Sequence, residues 1–489
     1  MNRRLTPLLA VLALVVAACG PGADDDDGPS RAGDPTAVAN GGSAAASADA
    51  DASGEPGTSG EPAGMDASGD VFVYGFEYES TDDVVARTRV DFAAEQYPDL
   101  SPTFSESGFE ATGFLTALQS NDPPDVVRIG RNDIGTYIAS GRLAPLDDCI
   151  SQAGVDTSIY REAAMQQLTQ GDTIYGLPDF FDTAVWMAAT AEFEEDGVDP
   201  NLDWSDWDAI AEANEQLLTG RGADLEEIGI DPKVAGDYSF FNLWVYANGG
   251  QLLSDDGLTA QLNSPEAIEA LEFTKGLIDA HGTTSEFLDF RNSVELNGDF
   301  FGSPNQFDLG TEAAFPMQQW YLNVAAENSP DTELTVSPFL TRDGEPITFQ
   351  DGAGWAIVEG TDNAEGACAF ITSMVSTDAW VASAETRKAQ REEEGLPFTG
   401  VYSGNSEADG IIFGELVDLG DFPVFDAAVQ AVLEAQENAY AIPNSPAAEE
   451  FRQIVLDAVD QALTGAASPE EALNAAQEEA QAALDAAAP

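Results

Sequence analysis

The chain has 489 residues, of which 88 are Asp or Glu and only 18 are Lys or Arg, and its formal net charge is -70. A surface this acidic repels nucleic acid and anionic lipid, which excludes nucleic-acid binding. The apolar content of 43% allows a sizeable core, and the length suits two domains or one large bilobal unit. Two explanations of the acidity stay open: a cation-binding surface, or solvation in strong salt, which screens the repulsion. Acid is spread over every segment, which favours the second.

The first residues are typical of an export signal. The basic residues Arg3 and Arg4 precede a short apolar run, residues 11–18, which ends at Cys19. This run is too short to span a bilayer. The small residues before Cys19 resemble a bacterial lipobox, which implies a signal peptide over 1–18, lipidation of the Cys19 sulfur and anchoring at the outer face of a membrane. Cleavage without lipidation is the alternative.

The segment that follows has the composition of a tether. Residues 19–69 are almost entirely Asp, Gly, Ala, Ser and Pro and contain no aromatic residue. Such a stretch buries too little apolar surface to offset its ordering entropy. We therefore expect a disordered stalk that holds a folded body away from the membrane.

Alternating β and α patterns open the body, which is expected from residue 70 onward. The predicted elements are a strand over 71–76, a helix over 82–97 that ends before Pro98, a strand over 103–105, a helix over 113–119 and a strand over 126–129. This alternation predicts an α/β sheet covered on both faces. Ligands bind such sheets at the carboxyl ends of the strands.

Two later helices are also indicated. Ser205 is predicted to cap a helix that starts near Trp207, and we interpret this segment as structural. The Ala/Glu/Gln-rich residues 472–487 predict an amphipathic helix near the end of the chain.

The cysteines and the histidine restrict the chemistry. With Cys19 lipidated, Cys149 and Cys368 remain, and outside the cell they can form one disulfide or stay as two buried thiols. The chain has no Cys-x-x-Cys pair and its single histidine is His281. A Cys/His zinc site and a His-based catalytic triad are therefore excluded, and we expect no metal or cofactor.

Eight short segments carry a family resemblance. They are NDPPDVV at 121–127, GRLAPLDD at 141–148, YGLP at 175–178, ANGGQLL at 247–253, LNSPEA at 262–267, AAFPM at 313–317, GAGWAI at 352–357 and SPEEAL at 468–473. In this order and spacing they resemble the extracellular solute-binding proteins of sugar-type ABC importers, which are maltose-binding-protein-like. Two departures touch the expected cleft: residues 186–190 replace the usual Tyr-Asn, and residues 285–310 form a longer stretch.

The resemblance implies a two-lobed type II periplasmic-binding-protein-like fold, each lobe a sheet flanked by helices, with a multi-strand hinge. Lobe 1 is expected over 70–182 and 335–395, and lobe 2 over 183–334 and 396–489. Cys149 and Cys368 both fall in lobe 1, which implies that they are bonded.

The resemblance also implies a monomeric binding protein without catalysis. It would capture a monosaccharide, oligosaccharide or polyol in the cleft and deliver it to an ABC permease. One alternative is a secreted glycoside hydrolase that uses two carboxylates. Another is a lipoprotein for an amine such as a polyamine or betaine, in which Glu77, Asp133 and Asp182 pair with ammonium groups.

The resemblance places two loops on the rim of the cleft. Phe76 and Glu77 end the first strand, and Asn132 and Asp133 follow the third. A sugar needs aromatic platforms and planar polar groups, which these residues supply. The alternative is that Phe76 lies in the core and the polar residues form caps or turns.

Further candidates lie near the passages between lobes. Phe181 and Asp182 are placed at the first passage, where they either contact the ligand or pack the hinge. The remaining candidates are the aromatic residues and one glycine expected to let backbone approach a ligand: Trp244, Trp320, Tyr321, Gly354, Trp355 and, more weakly, Tyr402. For the Trp residues, core packing is the alternative.

Overall fold

A computed structural model of the chain describes residue 65 and residues 67–78, 83–120, 122–297 and 304–487, with only the backbone given for 295–297. The predicted signal peptide, Cys19 and nearly all of the predicted stalk lie outside the described residues. In the described part of the chain, no helix combines the length and the apolarity that crossing a membrane requires.

The described residues form thirteen strands and eighteen α-helices. The strands are β1 (Gly69–Gly75), β2 (Leu100–Gly108), β3 (Val126–Gly130), β4 (Thr169–Gln170), β5 (Thr173–Ile174), β6 (Leu177–Pro178), β7 (Ala184–Ala189), β8 (Ile228–Ile230), β9 (Glu312–Gln318), β10 (Leu334–Pro338), β11 (Thr348–Gln350), β12 (Ala353–Ile357) and β13 (Ala439–Ala441). The helices are α1 (Val84–Gln96), α2 (Ala111–Ala117), α3 (Ile134–Ala139), α4 (Asp147–Ala153), α5 (Glu162–Gln167), α6 (Thr190–Asp196), α7 (Trp207–Leu217), α8 (Tyr238–Ala247), α9 (Pro265–Asp279), α10 (Thr284–Asn297), α11 (Gln306–Leu309), α12 (Tyr321–Asn328), α13 (Ala364–Met374), α14 (Thr377–Glu394), α15 (Ser406–Ile411), α16 (Pro423–Gln436), α17 (Ala448–Leu463) and α18 (Pro469–Ala487).

Five strands form the first sheet, in the order β2-β1-β3-β12-β6. β1 runs parallel to β2 and β3, whereas β12 runs antiparallel to β3 and β6. The elements predicted for residues 71–129 are confirmed. α1 starts where Asp83 accepts a hydrogen bond from the Val85 N–H and ends at Gln96, with Tyr97 as the C-cap before Pro98.

Four strands form the second sheet, in the order β10-β7-β9-β8. All six residues of β7 are buried, as expected of a central strand covered on both faces. β10 pairs along its whole length with β7. The structure therefore differs from the lobe boundary expected after residue 334, because the chain stays with the second sheet through β10.

Within the described residues, the chain passes between the two lobes three times. Residues 179–183 lead from β6 to β7, and residues 351–352 lead back from β11 to β12. A third passage follows α14, which packs on α1, and precedes α16, which packs on β7 and β10. We call residues 179–183 and 351–352 the crossover segments. The fold is two-lobed α/β with a multi-strand connection, as predicted.

One apolar cluster spans both lobes at the crossover segments. Val85 and Trp380 of the first lobe share this cluster with Trp320 and Val429 of the second lobe and with Phe180 of a crossover segment. The lobes are thus joined by packing as well as by backbone.

A disulfide joins Cys149 of α4 to Cys368 of α13, with a Cα–Cα distance of 5.6 Å. Both helices belong to the first lobe, so the bond ties two covering helices of that lobe together.

The predicted helix start near Trp207 is confirmed, but the predicted cap is wrong. Asp206 accepts hydrogen bonds from the N–H groups of Asp208 and Ala209, whereas the Ser205 hydroxyl donates to Asp203. Ser205 lies one residue before the position from which a side chain reaches the first free N–H groups of α7.

Candidate functional site

The ends of four strands meet where the crossover segments join the two sheets. Asp182 and Asp351 exchange two backbone hydrogen bonds, one from each crossover segment, with N···O distances of 2.9 and 3.1 Å. Arg131, just past β3, donates its N–H to the Gly352 carbonyl, and Gln319, just past β9, donates its N–H to the Thr183 carbonyl. Loops from both sheets therefore converge here, as ligand-binding loops do in α/β folds.

Asn132 lies in this group and connects the first lobe to a crossover segment. Its Nδ2 donates to Asp351 Oδ1 at 3.1 Å, and its Oδ1 accepts from Gln167 Nε2 at 2.7 Å. Ser239, at the start of α8 in the second lobe, donates to the other oxygen of Asp351 at 3.4 Å. Asp351 thus receives hydrogen bonds from a loop of the first lobe and from a helix of the second lobe.

Asp182 is the most perturbed carboxyl at the site. Its Oδ1 accepts a hydrogen bond from Gln319 Nε2 at 2.9 Å, and its side chain is almost inaccessible to water. Burial, reinforced by the nearby Asp351, raises the pKa of Asp182 to about 8. At neutral pH this carboxyl is mostly protonated and can donate a hydrogen bond as well as accept one.

Asp133 forms an ion pair between the lobes. Its two oxygens lie 3.2 and 3.3 Å from Nε and Nη2 of Arg452 on α17. Burial raises the pKa of Asp133, an effect that Arg452 opposes. Glu77 is half-buried at the end of β1.

The predicted aromatic residue Trp244 packs in the core of the second lobe. Its ring contacts Trp186, Trp207 and Phe339, and its Nε1 donates to the Pro232 carbonyl at 3.0 Å. Trp244 has no solvent exposure, so the structure places it in the hydrophobic core, which was the alternative to a ligand platform.

Trp320 and Tyr321 follow β9 and lie in the cluster that spans the lobes. Trp320 is 2% exposed, and its Nε1 donates to Gln318 Oε1 at 2.8 Å. Tyr321 is fully buried, with its ring near Phe307 and Phe315. Both rings therefore belong to the second lobe and pack in the apolar cluster at the crossover segments.

Trp355 and Phe76 pack against each other in the core of the first lobe. Their ring centroids are 5.1 Å apart in an edge-to-face arrangement. Trp355 is fully buried and Phe76 is 6% exposed. A Cβ at Gly354 would lie 2.6 Å from Leu168, so this glycine gives room to that side chain.

The last two aromatic candidates are also enclosed. Phe181 is 1% exposed and lies beneath the Arg161 guanidinium, 4.7 Å from the ring centroid. Tyr402 is fully buried beside Phe413, and burial raises its pKa. Of the predicted residues, the structure thus brings Asn132 and Asp182 together at the crossover, with Asp133 next in sequence.

Sequence reasoning missed three charged groups at this site. Asp179 is fully buried and receives hydrogen bonds from Arg89 Nη1 at 2.6 Å and Arg128 Nε at 2.7 Å. These two arginines hold the pKa of Asp179 at about 2, below its usual range. Arg131 and Asp351 were missed as well, although each stands next to a segment that the sequence had marked.

A pocket of about 290 Å³ lies elsewhere, between Pro123, Arg142 and Gly360. These residues border the amino end of β3 and the carboxyl end of β12, which is the opposite edge of the first sheet from the crossover. Among the described residues, no group of three or more His, Cys, Asp or Glu side chains is placed to hold a metal ion.

Several solved structures share this fold. They include an ABC substrate-binding protein from Listeria monocytogenes in complex with cycloalternan (18% identity, TM-score 0.68, covering 85% of this chain and 99% of that one), a solute-binding protein from Thermotoga lettingae bound with α-D-tagatose (21%, 0.64, 86% and 100%), and UgpB from Mycobacterium tuberculosis in complex with glycerophosphocholine (19%, 0.65, 86% and 99%). At these identities the likeness establishes the two-lobed fold.

A sequence comparison identifies the family. The model of the bacterial extracellular solute-binding protein family matches residues 103–388, which is more than half of the chain and includes both crossover segments. The resemblance predicted from the sequence is confirmed, and the chain belongs to the bacterial extracellular solute-binding proteins.

Proposed function

We propose that this protein binds a carbohydrate or polyol between its two lobes and delivers it to the membrane permease of an ABC importer. The observation that carries the proposal is the convergence of polar side chains from both lobes. Asn132 of the first lobe and Ser239 of the second both donate to Asp351. A ligand in contact with both lobes stabilises the closed arrangement, which is how binding drives closure.

The chemistry of these groups suits hydroxyls. Each sugar hydroxyl both donates and accepts, so it binds best beside groups that offer both functions. Asn132 offers an amide, Asp133 a carboxyl group that is paired with Arg452, and Asp182 a carboxyl that is mostly protonated at neutral pH. Asp237, whose pKa burial raises to about 6, lies at the start of α8 on the side of the second lobe.

The ligands of the similar structures support the same class. Cycloalternan and tagatose are carbohydrates, and glycerophosphocholine carries a polyol portion. The aromatic side chains at the crossover are buried, so we assign recognition to the polar groups and assign the rings to the walls that position them.

The N-terminal sequence supports a proposed place of action. Cys19 is proposed to carry a lipid that holds a monomeric protein at the outer face of the cell membrane, with residues 19–69 as the stalk. This arrangement keeps the binding body within reach of a permease.

A thermal-shift screen tests the function. Maltose, mannotriose, tagatose and glycerol phosphodiesters are added at millimolar concentrations, and a ligand that binds only the folded state raises the melting temperature. Asn132→Ala is expected to weaken binding of the best saccharide about tenfold or more, because it removes an amide from the crossover. The control is Asn201→Ala, whose side chain is exposed and donates a hydrogen bond to Asp199, outside the crossover segments.

The outcomes separate the alternatives. A stable Asn132→Ala variant with wild-type affinity contradicts the assigned site. Release of a product from any glycoside makes the protein a hydrolase. A melting temperature that responds to spermidine or betaine but to none of the uncharged sugars replaces the carbohydrate by an amine.

A further inference from the structure

We infer that Arg131 is a positioning residue that ties the two crossover segments together and thereby sets how readily the lobes close. The inference deepens the proposed function and rests on it, because closure matters only if the lobes capture a ligand. Arg131 lies in the loop after β3, beside Asn132 and Asp351, and contacts both crossover segments from there.

The contacts of the guanidinium carry the inference. Arg131 Nη1 donates to the carbonyls of Phe180 at 2.6 Å and Ala353 at 2.7 Å, and Nη2 donates to the carbonyl of Asp351. Phe180 belongs to one crossover segment, Asp351 belongs to the other, and Ala353 is the first residue of β12, directly after that second segment. One rigid, planar group therefore holds backbone oxygens of both segments.

Two further contacts fix the base of the side chain. Nε donates to Gln167 Oε1 at 3.2 Å, and the Arg131 backbone N–H donates to the Gly352 carbonyl at 2.9 Å. Gln167 in turn accepts from Gln350 Nε2 at 3.0 Å, one residue before the second crossover segment. The side chain is thus fixed by hydrogen bonds at Nε as well as by those of its terminal nitrogens.

The cation is buried at a cost that backbone carbonyls offset. Arg131 is 1% exposed, and burial lowers its pKa to about 10, so it remains charged at neutral pH. A buried charge is tolerated only when hydrogen bonds replace its lost water. Here the carbonyls of the crossover segments accept those hydrogen bonds. Any rotation of these segments away from Arg131 would therefore leave the buried guanidinium without hydrogen-bond acceptors.

Gly352 supplies a second, independent observation. Its φ of 135° lies in the region that favours glycine, and a Cβ there would lie 2.7 and 2.8 Å from the two terminal nitrogens of Arg131 and would overlap the Phe180 carbonyl. The crossover is thus shaped so that the guanidinium can approach both segments.

The tie has a predictable effect on closure. Domain closure is absorbed by φ and ψ changes in a few residues between the lobes. The structure has the lobes in contact, with Asp133 paired to Arg452, so the tie stabilises this juxtaposed arrangement. Removing it lowers the fraction of molecules in that arrangement, which weakens the apparent affinity by the same factor and speeds dissociation.

The first experiment needs no ligand. Hydrogen exchange followed by mass spectrometry is measured on the full mature chain for peptides that contain residues 179–183 and 351–353. Arg131→Met is expected to speed exchange of these amides about tenfold, while peptides from α1 and β7 keep wild-type rates. Arg131→Lys should give an intermediate rate, because an ammonium cannot hold both segments at once. Arg142→Met, at the far edge of the first sheet, is the matched control.

Gly352→Ala keeps the inference testable if Arg131→Met does not fold. It leaves the arginine in place but displaces the guanidinium, so crossover exchange should again rise several-fold. Folded variants of both kinds that exchange at wild-type rates at the crossover overturn the inference. A uniform rise across all peptides also overturns it, because that pattern describes general destabilisation.

The second experiment uses the saccharide that raises the melting temperature most. Stopped-flow dissociation from Arg131→Met should be about tenfold faster than from the wild type, with the association rate changed less. An equal dissociation rate in a folded variant contradicts the tie. If no saccharide binds the wild type, the proposed function fails, while the exchange experiment still decides the role of Arg131.

Discussion

The Cys149–Cys368 disulfide allows a quantitative test of how the first lobe is held together. The two cysteines are 219 residues apart in sequence, and the chain between them includes the first crossover segment and the entire second sheet. The perturbation is the double variant Cys149→Ala and Cys368→Ala, or reduction of the wild type. Alanine is chosen because both sites are buried and a serine hydroxyl would add an unsatisfied polar group.

The expected loss follows from chain entropy. A loop of this length constrains the unfolded chain by about 5 kcal/mol in the loop-closure model. A change of 1 kcal/mol shifts the melting temperature of a unit of 150–250 residues by roughly 2–4 °C. The first lobe should therefore melt roughly 10–20 °C lower without the bond.

Calorimetry with and without reductant provides the measurement. The wild type should lose stability on reduction, and the double variant, which serves as the control, should be unaffected by reductant. A wild type that melts at an unchanged temperature after both thiols have been shown to be free refutes the entropic argument. Alkylation of both cysteines before any reduction refutes the bond itself.

Four further predictions test other parts of the molecule. Burial lowers the pKa of His281, whose Nε2 accepts from the Gly229 N–H and whose Nδ1 contacts the Leu277 carbonyl, so the neutral ring fits the fold. The neutral His281 ring contributes fully to stability above pH 6.5, the pKa of histidine in the unfolded chain, and this contribution is lost as the pH falls below 6.5. In an NMR titration the signal of the single imidazole should therefore have its midpoint below pH 6.5. The melting temperature should rise as NaCl is raised towards molar levels, since cations screen the net charge of -70, and a flat curve would show that the acidity has another role. Cys19→Ser should release the protein into the medium, and membrane retention of that variant on fractionation would contradict lipid anchoring. Trp355→Ala should cost about 3–5 kcal/mol of stability in chemical denaturation, because the ring is a buried core residue, whereas a stable variant with weakened sugar binding would restore it to the site.

Local patterns allowed much of the first lobe to be predicted. The strand over 126–129 and the helix over 82–97 are marked by apolar periodicity and by Pro98, and these signals lie within a few residues of the elements they specify. The cap of α7 shows the limit of such signals. Ser205 and Asp206 are both good capping residues, and only the backbone geometry decides which one reaches the free N–H groups.

The candidate site was harder to predict because its contacts are remote in sequence. Arg131 and Asp351 are 220 residues apart, and nothing in either segment alone indicates that a guanidinium meets those carbonyls. For Trp320 and Trp355, a stacking platform and a core ring call for the same residue type, so composition cannot separate them. Burial separates them, and burial is a property of the assembled lobes.

Some of the few cations of this chain lie where water is excluded. Arg89, Arg131, Lys233, Arg387 and Arg391 are each at most 9% exposed, whereas most of the acidic side chains remain at the surface. Dissolved salt screens exposed charges over about 8 Å at physiological ionic strength and about 3 Å at 1 M, but it does not reach a guanidinium enclosed by carbonyls. The two kinds of electrostatics should therefore respond differently to salt. Added NaCl should stabilise the whole protein through its surface, while the ratio of ligand dissociation rates between Arg131→Met and the wild type should stay constant, because the tie lies beyond the reach of dissolved ions.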